Sequence, residues 1–171
     1  MGFSVTLSSA ILFIGLIAFG STISGVMLYS VTNIFPEVNS YVERQRDILD
    51  VRIEMEIESI SNRSCVIDVV NFGSRTIFLE EGQSYRNTMV VSYGGPEWSP
   101  FLIEDYTILE VRVTGTNSTF NASSHMYVNP GEEAGIELNL PSSAPDIPLN
   151  ATVIVVFASH YGVSAQAEGI R

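Results

Sequence analysis

Lysine is absent from this 171-residue chain, and its 8 basic side chains are all arginine. Against 19 acidic side chains they leave a formal charge of −11. That balance, with no cluster of bases, argues against nucleic acid as a partner, because phosphate backbones are gripped through grouped Arg and Lys. The single cysteine, Cys65, rules out an internal disulfide framework and a thiolate zinc site. Histidine is almost as scarce. His125 and His160 have neither a Gly-x-Ser-x-Gly elbow nor metal-ligand spacing beside them, so each reads as a surface or loop-end residue. Charge itself is missing from the start of the chain: the first charged residue is Glu37 and the first base Arg44. The sequence does not describe an enzyme, and it predicts no catalytic residue, no metal and no cofactor.

The uncharged start is strongly apolar. Val5 to Val31 reads VTLSSAILFIGLIAFGSTISGVMLYSV. A bilayer core needs about 20 apolar residues in a helix, so this run spans one with length to spare. A secretory signal peptide is the main competitor, but it calls for a basic n-region and a shorter apolar stretch. We therefore expect a retained lipid-spanning helix over 1–32. Gly15, Gly20, Ser21, Ser24 and Gly25 interrupt the apolar run. Small residues let membrane helices approach closely, which makes these five candidates for helix packing. Gly and Ser are also simply common in membrane helices.

Asn33 and Pro36 predict a break or kink, followed by a new helix. Val38, Tyr41, Val42, Gln45, Ile48 and Leu49 then recur at three- and four-residue spacing, an amphipathic stalk over 33–49. Its apolar stripe needs a partner, either the following domain or another copy, so a homo-oligomer is expected.

From residue 50 to 171 the period becomes two. Val51, Ile53, Met55 and Ile57 alternate with Arg52, Glu54, Glu56 and Glu58, a strand with one charged face. Further strands are predicted around Cys65–Val69, Thr76–Leu79, Met89–Tyr93, Ile108–Val113, Met126–Val128, Ile136–Leu140, Val153–Ala158 and Val163–Ala167. Val153–Ala158 is apolar on both faces and should be central. Turn signals separate these runs, among them Asn71-Phe72-Gly73, Gly94-Gly95-Pro96 and Asn129-Pro130-Gly131. The spacing predicts an all-β immunoglobulin-like sandwich behind the long hydrophobic helix.

Asn-x-Ser/Thr occurs at Asn62, Asn117, Asn121 and Asn150, each at a predicted loop or strand end. These are candidate N-glycosylation sites of an exported domain, against the simpler reading of Asn- and Ser-rich loops. Tyr93, Trp98 and Phe101 form either an exposed aromatic contact patch or, through Trp98, a plug at one end of the core. Glu80-Glu81 and Glu132-Glu133 read as solvated acidic turns, since no Asp-x-Asp-x-Asp-Gly loop makes them a calcium site. Topology is in conflict. Arg44, Arg46 and Arg52 follow the span and no base precedes it, which by the positive-inside rule puts the domain inside. Large domains translocate despite such charges, and with the sequons we expect this one outside.

The opening Met1-Gly2-Phe3-Ser4-Val5, running straight into the apolar helix and then a sandwich, resembles the accessory protein F family of the archaellum, the archaeal flagellum. Val69-Val70-Asn71-Phe72-Gly73, Asn129-Pro130-Gly131-Glu132 and Tyr161-Gly162-Val163-Ser164 are similar to strand–turn patterns of archaellins and their accessory proteins. The resemblance implies a stator part of the motility machinery. Its helix would lie in the cytoplasmic membrane and its sandwich would reach out to the surface-layer protein, with accessory protein G as a partner. The alternative is an archaellin or pilin-like subunit of an extracellular filament, its helix packed in the core. Archaellins carry a basic leader before the first Gly, and Met1-Gly2 departs from that pattern unless the numbering starts from a processed chain.

Overall fold

A computed structural model describes residues 2–79, 86–94 and 98–171. The chain divides into two compact units, Met1–Gln45 and Arg46–Arg171. Glu80-Glu81, Gly95 and Pro96 lie outside the described residues.

Helix α1 runs from Gly2 to Asp50, roughly 74 Å at the usual rise. It passes through Pro36 without the expected break. Proline's fixed φ is itself helical, so its ring costs the bond that its missing N–H would give to the Thr32 carbonyl but does not dictate an end. Ile11, Leu12, Phe13, Ile14, Leu16 and Ile17 are each more than 60% exposed, and at about 100° per residue they are spread around the whole axis. A helix apolar all round has no core face; it is built for lipid or for a bundle of other helices. Its hydroxyls bond inward to the helix's own carbonyls: Ser8 to Ser4, Ser21 to Ala18, and Thr32 to Leu28 and Tyr29.

The second unit is an antiparallel β-sandwich. Its strands are β1 Ile53–Ile60, β2 Ser64–Asn71, β3 Ile77–Phe78, β4 Thr88–Gly94, β5 Trp98–Ile103, β6 Asp105–Val113, β7 Thr119–Phe120, β8 Tyr127–Val128, β9 Glu132–Asn139, β10 Thr152–Ala158 and β11 Ser164–Ile170. One sheet has the order β1-β2-β9-β6-β7, the other β11-β10-β4-β5, with β3-β8 as a small third pair. Strand β10 is central, between β4 and β11, as its two apolar faces predict. Strands β5 and β7 were not legible. Pro100 sits inside β5, which is tolerated because β5 is an edge strand.

Alternation builds the core. Ile67 and Val69 of β2, Ala134, Ile136 and Leu138 of β9, and Val153, Val155 and Phe157 of β10 are fully buried. Each large side chain contributes about 1.5–3 kcal/mol of apolar burial. Cys65 is among them, and burial pushes its thiol up to about 11, leaving it neutral. The corner after β2 is pinned by Asn71, itself fully buried. Its Nδ2 donates to the carbonyls of Arg75 (2.7 Å) and Val128 (2.8 Å), and its Oδ1 accepts from the Gly73 N–H (3.0 Å). Glycine is required at 73, because a Cβ there would lie 2.5 Å from the Asp50 carbonyl and 2.6 Å from the Arg52 nitrogen. Arg75, on the same corner, ion-pairs with Asp47 and, at 3.7 Å, with Asp50.

Candidate functional site

The outer faces of the two sheets differ in chemistry, and strand register fixes which residues share each face. On the five-stranded sheet Glu56 pairs with Asp68, Asp68 with Gly135 and Gly135 with Glu110, one row across four strands. The neighbouring row takes Glu54, Val70, Glu133 and Arg112. Arg112 is the hub: its guanidinium donates to Glu133, to Glu110 at 2.9 Å and to Asp68 at 3.1 Å. Hydrogen bonding to Glu133 holds the arginine firmly charged. Asp68 is pushed above the usual carboxylate range, first by burial, with Arg112 opposing and Glu58, Glu133 and Glu110 adding to the rise. This face is acidic, with one base holding three carboxylates together.

The outer face of the four-stranded sheet is the opposite. Leu102 of β5 pairs with Val90 of β4, Val90 with Val156 of β10, and Val156 with Gln166 of β11. The next row runs Pro100, Ser92, Ile154 and Glu168. Beyond it Trp98 lies opposite Gly94, and Ile170 opposite Thr152. Leu102 is 49% exposed, Trp98 51% and Ile170 71%, while the central residues are half-buried by one another. Glu168 is the one charge in these rows. Four strands at about 4.8 Å spacing and about seven residues at about 3.3 Å give a face of roughly 400 Å², more than half of its positions apolar, the size range in which patches on a monomer are often functional. This face is the candidate docking site.

The aromatic trio divides along the same alternation. Tyr93 is 3% exposed, so it is no part of an exposed patch. Its ring stacks on Phe101 at 5.2 Å inside the core, its hydroxyl donates to the Pro145 carbonyl, and burial raises its pKa. Only Trp98 faces out, its ring lying over Gly94, where a Cβ would meet it at 3.0 Å. Odd-numbered positions of β4 point inward, which the sequence pattern contained. The strand identity of 98–103 was the missing step.

Glu132-Glu133 is likewise not a solvated turn, because the pair opens β9 and the two side chains face opposite ways. Glu132 is buried. It accepts from His125 Nε2 (2.9 Å), the Asn129 N–H (2.8 Å) and Asn129 Nδ2 (3.2 Å). Burial alone would raise its pKa, and these bonds outweigh it, holding the carboxyl below the usual range. His125 is therefore not a surface residue; it stacks on Phe120 at 4.4 Å and lies 3.9 Å from the Tyr127 ring. His160 is half-buried in the β10–β11 turn against Phe78 and Tyr161, and burial lowers its pKa. Among the described residues no group of three His, Cys, Asp or Glu side chains is placed to hold a metal ion.

Gly15, Gly20 and Gly25 have open space where a Cβ would be, and Ser21 and Ser24 are exposed beside them, so all five helix-packing candidates lie on the surface of α1. Asn62, Asn117, Asn121 and Asn150 are all exposed on the sandwich.

The chain matches no protein-family model and no curated protein sequence. Its fold is similar to that of a chain of the archaeal flagellum of Methanospirillum hungatei strain JF1, at TM-score 0.63 and 13% identity, covering 96% of this chain and 92% of that one. Similarity also extends to the archaellum periplasmic stator complex of FlaF and FlaG from Sulfolobus acidocaldarius (TM-score 0.42, 14% identity, 67% of this chain and 87% of that one). The stator protein FlaG from the same organism gives TM-score 0.42 and 16% identity over 69% of this chain and all of that one. These three neighbours are archaellum components, and the likeness to the Methanospirillum chain shows the helix-plus-sandwich fold over nearly the whole length.

Proposed function

We propose that this protein is a membrane-anchored stator component of the archaeal motility machinery, whose β-sandwich binds the surface-layer protein outside the cell and so holds the motor static. The observation that carries the reading is α1: a helix uncharged over its first 35 positions, Gly2 to Pro36, and exposed around its whole circumference. Lipid accepts such a surface. A rotating filament needs a fixed reference, and an anchor joined to an envelope-binding domain supplies one without any chemistry. In this reading the protein sits in the cell envelope, anchored in the cytoplasmic membrane, and performs no catalysis.

Binding is assigned to the apolar face of the four-stranded sheet, where Trp98, Leu102 and Ile170 are exposed large apolar side chains. Accessory protein G and a second copy of this chain are further occupants of the same reading. The test is retention of the full chain, in detergent or a lipid disc, on isolated surface-layer protein. Leu102→Glu, on the exposed edge of the face, and Val156→Glu, half-buried on central β10, both place charge on it, so both should abolish retention, the first with the melting temperature nearly unchanged and the second with a lowered one. Retention of both variants at the wild-type level would remove this face from the account.

A second reading, a filament subunit with its helix packed in a core, is favoured by one observation: the likeness to the archaeal flagellum chain takes in helix and sandwich together.

A further inference from the structure

We propose that Asn121 is the glycan acceptor of this domain, receiving a saccharide from a polyprenyl-phosphate-linked donor. The proposal rests on the sandwich lying outside the membrane, as in the reading above. Asn62, Asn117, Asn121 and Asn150 are all exposed, and they differ in where the hydroxyl residue two positions on is held. A transferase must seat the asparagine amide and that hydroxyl in one site, with the tripeptide accessible from the side.

Three of the tripeptides end in a sheet. Ser64 opens β2 and pairs with Asn139, Thr119 opens β7 and pairs with Arg112, and Thr152 opens β10 and pairs with Ile170. The Ser64 hydroxyl is also 2.9 Å from that of Ser61. Asn150 has φ +60°, and its N–H is committed to the Arg171 carbonyl. Each of these sites must be peeled from its neighbours before a transferase can close on it.

Asn121 differs. Ser123 lies in the turn between β7 and β8, outside any strand, and is exposed. Its Oγ donates to Asn121 Oδ1 at 2.6 Å and its N–H donates to the same oxygen at 3.0 Å. With Oδ1 turned in on the tripeptide, Nδ2 on the far side of the amide carbon is directed away from it. The two donors also stabilise the charge that reaches Oδ1 as Nδ2 gives up its proton. The turn is fixed from below, because the Asn121 carbonyl accepts from the N–H groups of Ser124 and His125, both at 3.0 Å, and the His125 ring is stacked on Phe120. In the transfer Nδ2 attacks the anomeric carbon, and the C–N bond forms as the anomeric C–O bond to phosphate breaks. The lipid phosphate leaves with the electron pair, the amide proton passes to a base of the transferase, and nothing is oxidised or reduced.

The test is glycopeptide mass spectrometry of the full chain purified from the envelope of the cells that make it, alongside Asn121→Gln, Ser123→Ala and Ser123→Thr. The expected result is a saccharide mass on Asn121 at higher occupancy than on Asn62, Asn117 or Asn150. It should be lost completely in Asn121→Gln and Ser123→Ala and kept in Ser123→Thr. Occupancy at any of the other three equal to or above that of Asn121 overturns the assignment. A second arm supplies the polyprenyl-phosphate-linked saccharide to opened membrane fragments, where both faces are accessible. Modification there but not in cells overturns the proposal through the topology, and with it the outward placement of the sandwich. No modification in either arm overturns the acceptor and leaves the topology standing.

Discussion

Replacing Asn71 by alanine tests whether one buried amide holds the corner of the sandwich. The side chain is fully buried and makes three hydrogen bonds, two of them donated to backbone carbonyls. In Asn71→Ala the Gly73 N–H keeps its second acceptor, the Arg52 carbonyl at 3.1 Å, so its loss is small. The carbonyls of Arg75 and Val128 lose their amide donor. A buried polar group left unmade costs about 1–3 kcal/mol, so the two together come to about 3 kcal/mol. For a domain of this size 1 kcal/mol moves the midpoint by about 4 °C, which predicts a fall of about 12 °C. Scanning calorimetry of the full chain in detergent reads this as a shift of the sandwich transition. Asn71→Asp is the sharper control: its carboxylate would face two carbonyl oxygens without a counter-charge, so it should be worse than alanine at neutral pH and recover in acid as it protonates. A shift of less than 2 °C for Asn71→Ala, or an aspartate variant no worse than alanine at pH 7, would refute the reasoning.

Gly73→Ala forces a Cβ against two backbone atoms that cannot rotate away, so it should cost about 1–3 kcal/mol in the same calorimetric measurement. Gly20→Arg puts a base in the middle of the apolar helix at about 2.5–3.5 kcal/mol for insertion, and fractionation should move the protein out of the membrane pellet. An unchanged pellet would contradict the anchor. Glu132 has a lowered folded pKa, so its stabilising contribution is present above the unfolded value of about 4.3 and is lost as pH falls through the folded one. Glu132→Gln should accordingly flatten the acid limb of a stability-against-pH curve below about pH 4, relative to wild type. An identical acid limb in the two proteins would show that the carboxylate does not carry this dependence.

Much of the fold could be read ahead because its signals are periodic. The alternation at Val51–Glu58 and Cys65–Val69 located β1 and β2, and the two-sided apolarity of Val153–Ala158 placed β10 at the centre of its sheet. Strand β5 escaped because Pro100 interrupts it and because its outward residues, Trp98 and Leu102, are as apolar as its inward ones, which erases the alternation. The same erasure marks the apolar outer face of that sheet, the surface to which binding is assigned in the proposal. Pro36 misled for a local reason: a helix-compatible φ was weighed less than a missing N–H. The clasp of His125 on Glu132 joins residues 7 apart across a turn, and no spacing rule distinguishes such a pair from two solvated side chains. Register across three strands, which brings Leu102, Val90 and Val156 into one row, exists only once the strands are paired.

The central claim is that this protein stays in the envelope while the filament turns. Filaments sheared from motile cells and the washed envelopes left behind can both be quantified for this chain by mass spectrometry, against the archaellin of the same cells. The account predicts that nearly all of the protein remains with the envelopes, at a level unrelated to filament length. Recovery in the sheared filaments in proportion to archaellin would contradict it and make the chain a filament subunit.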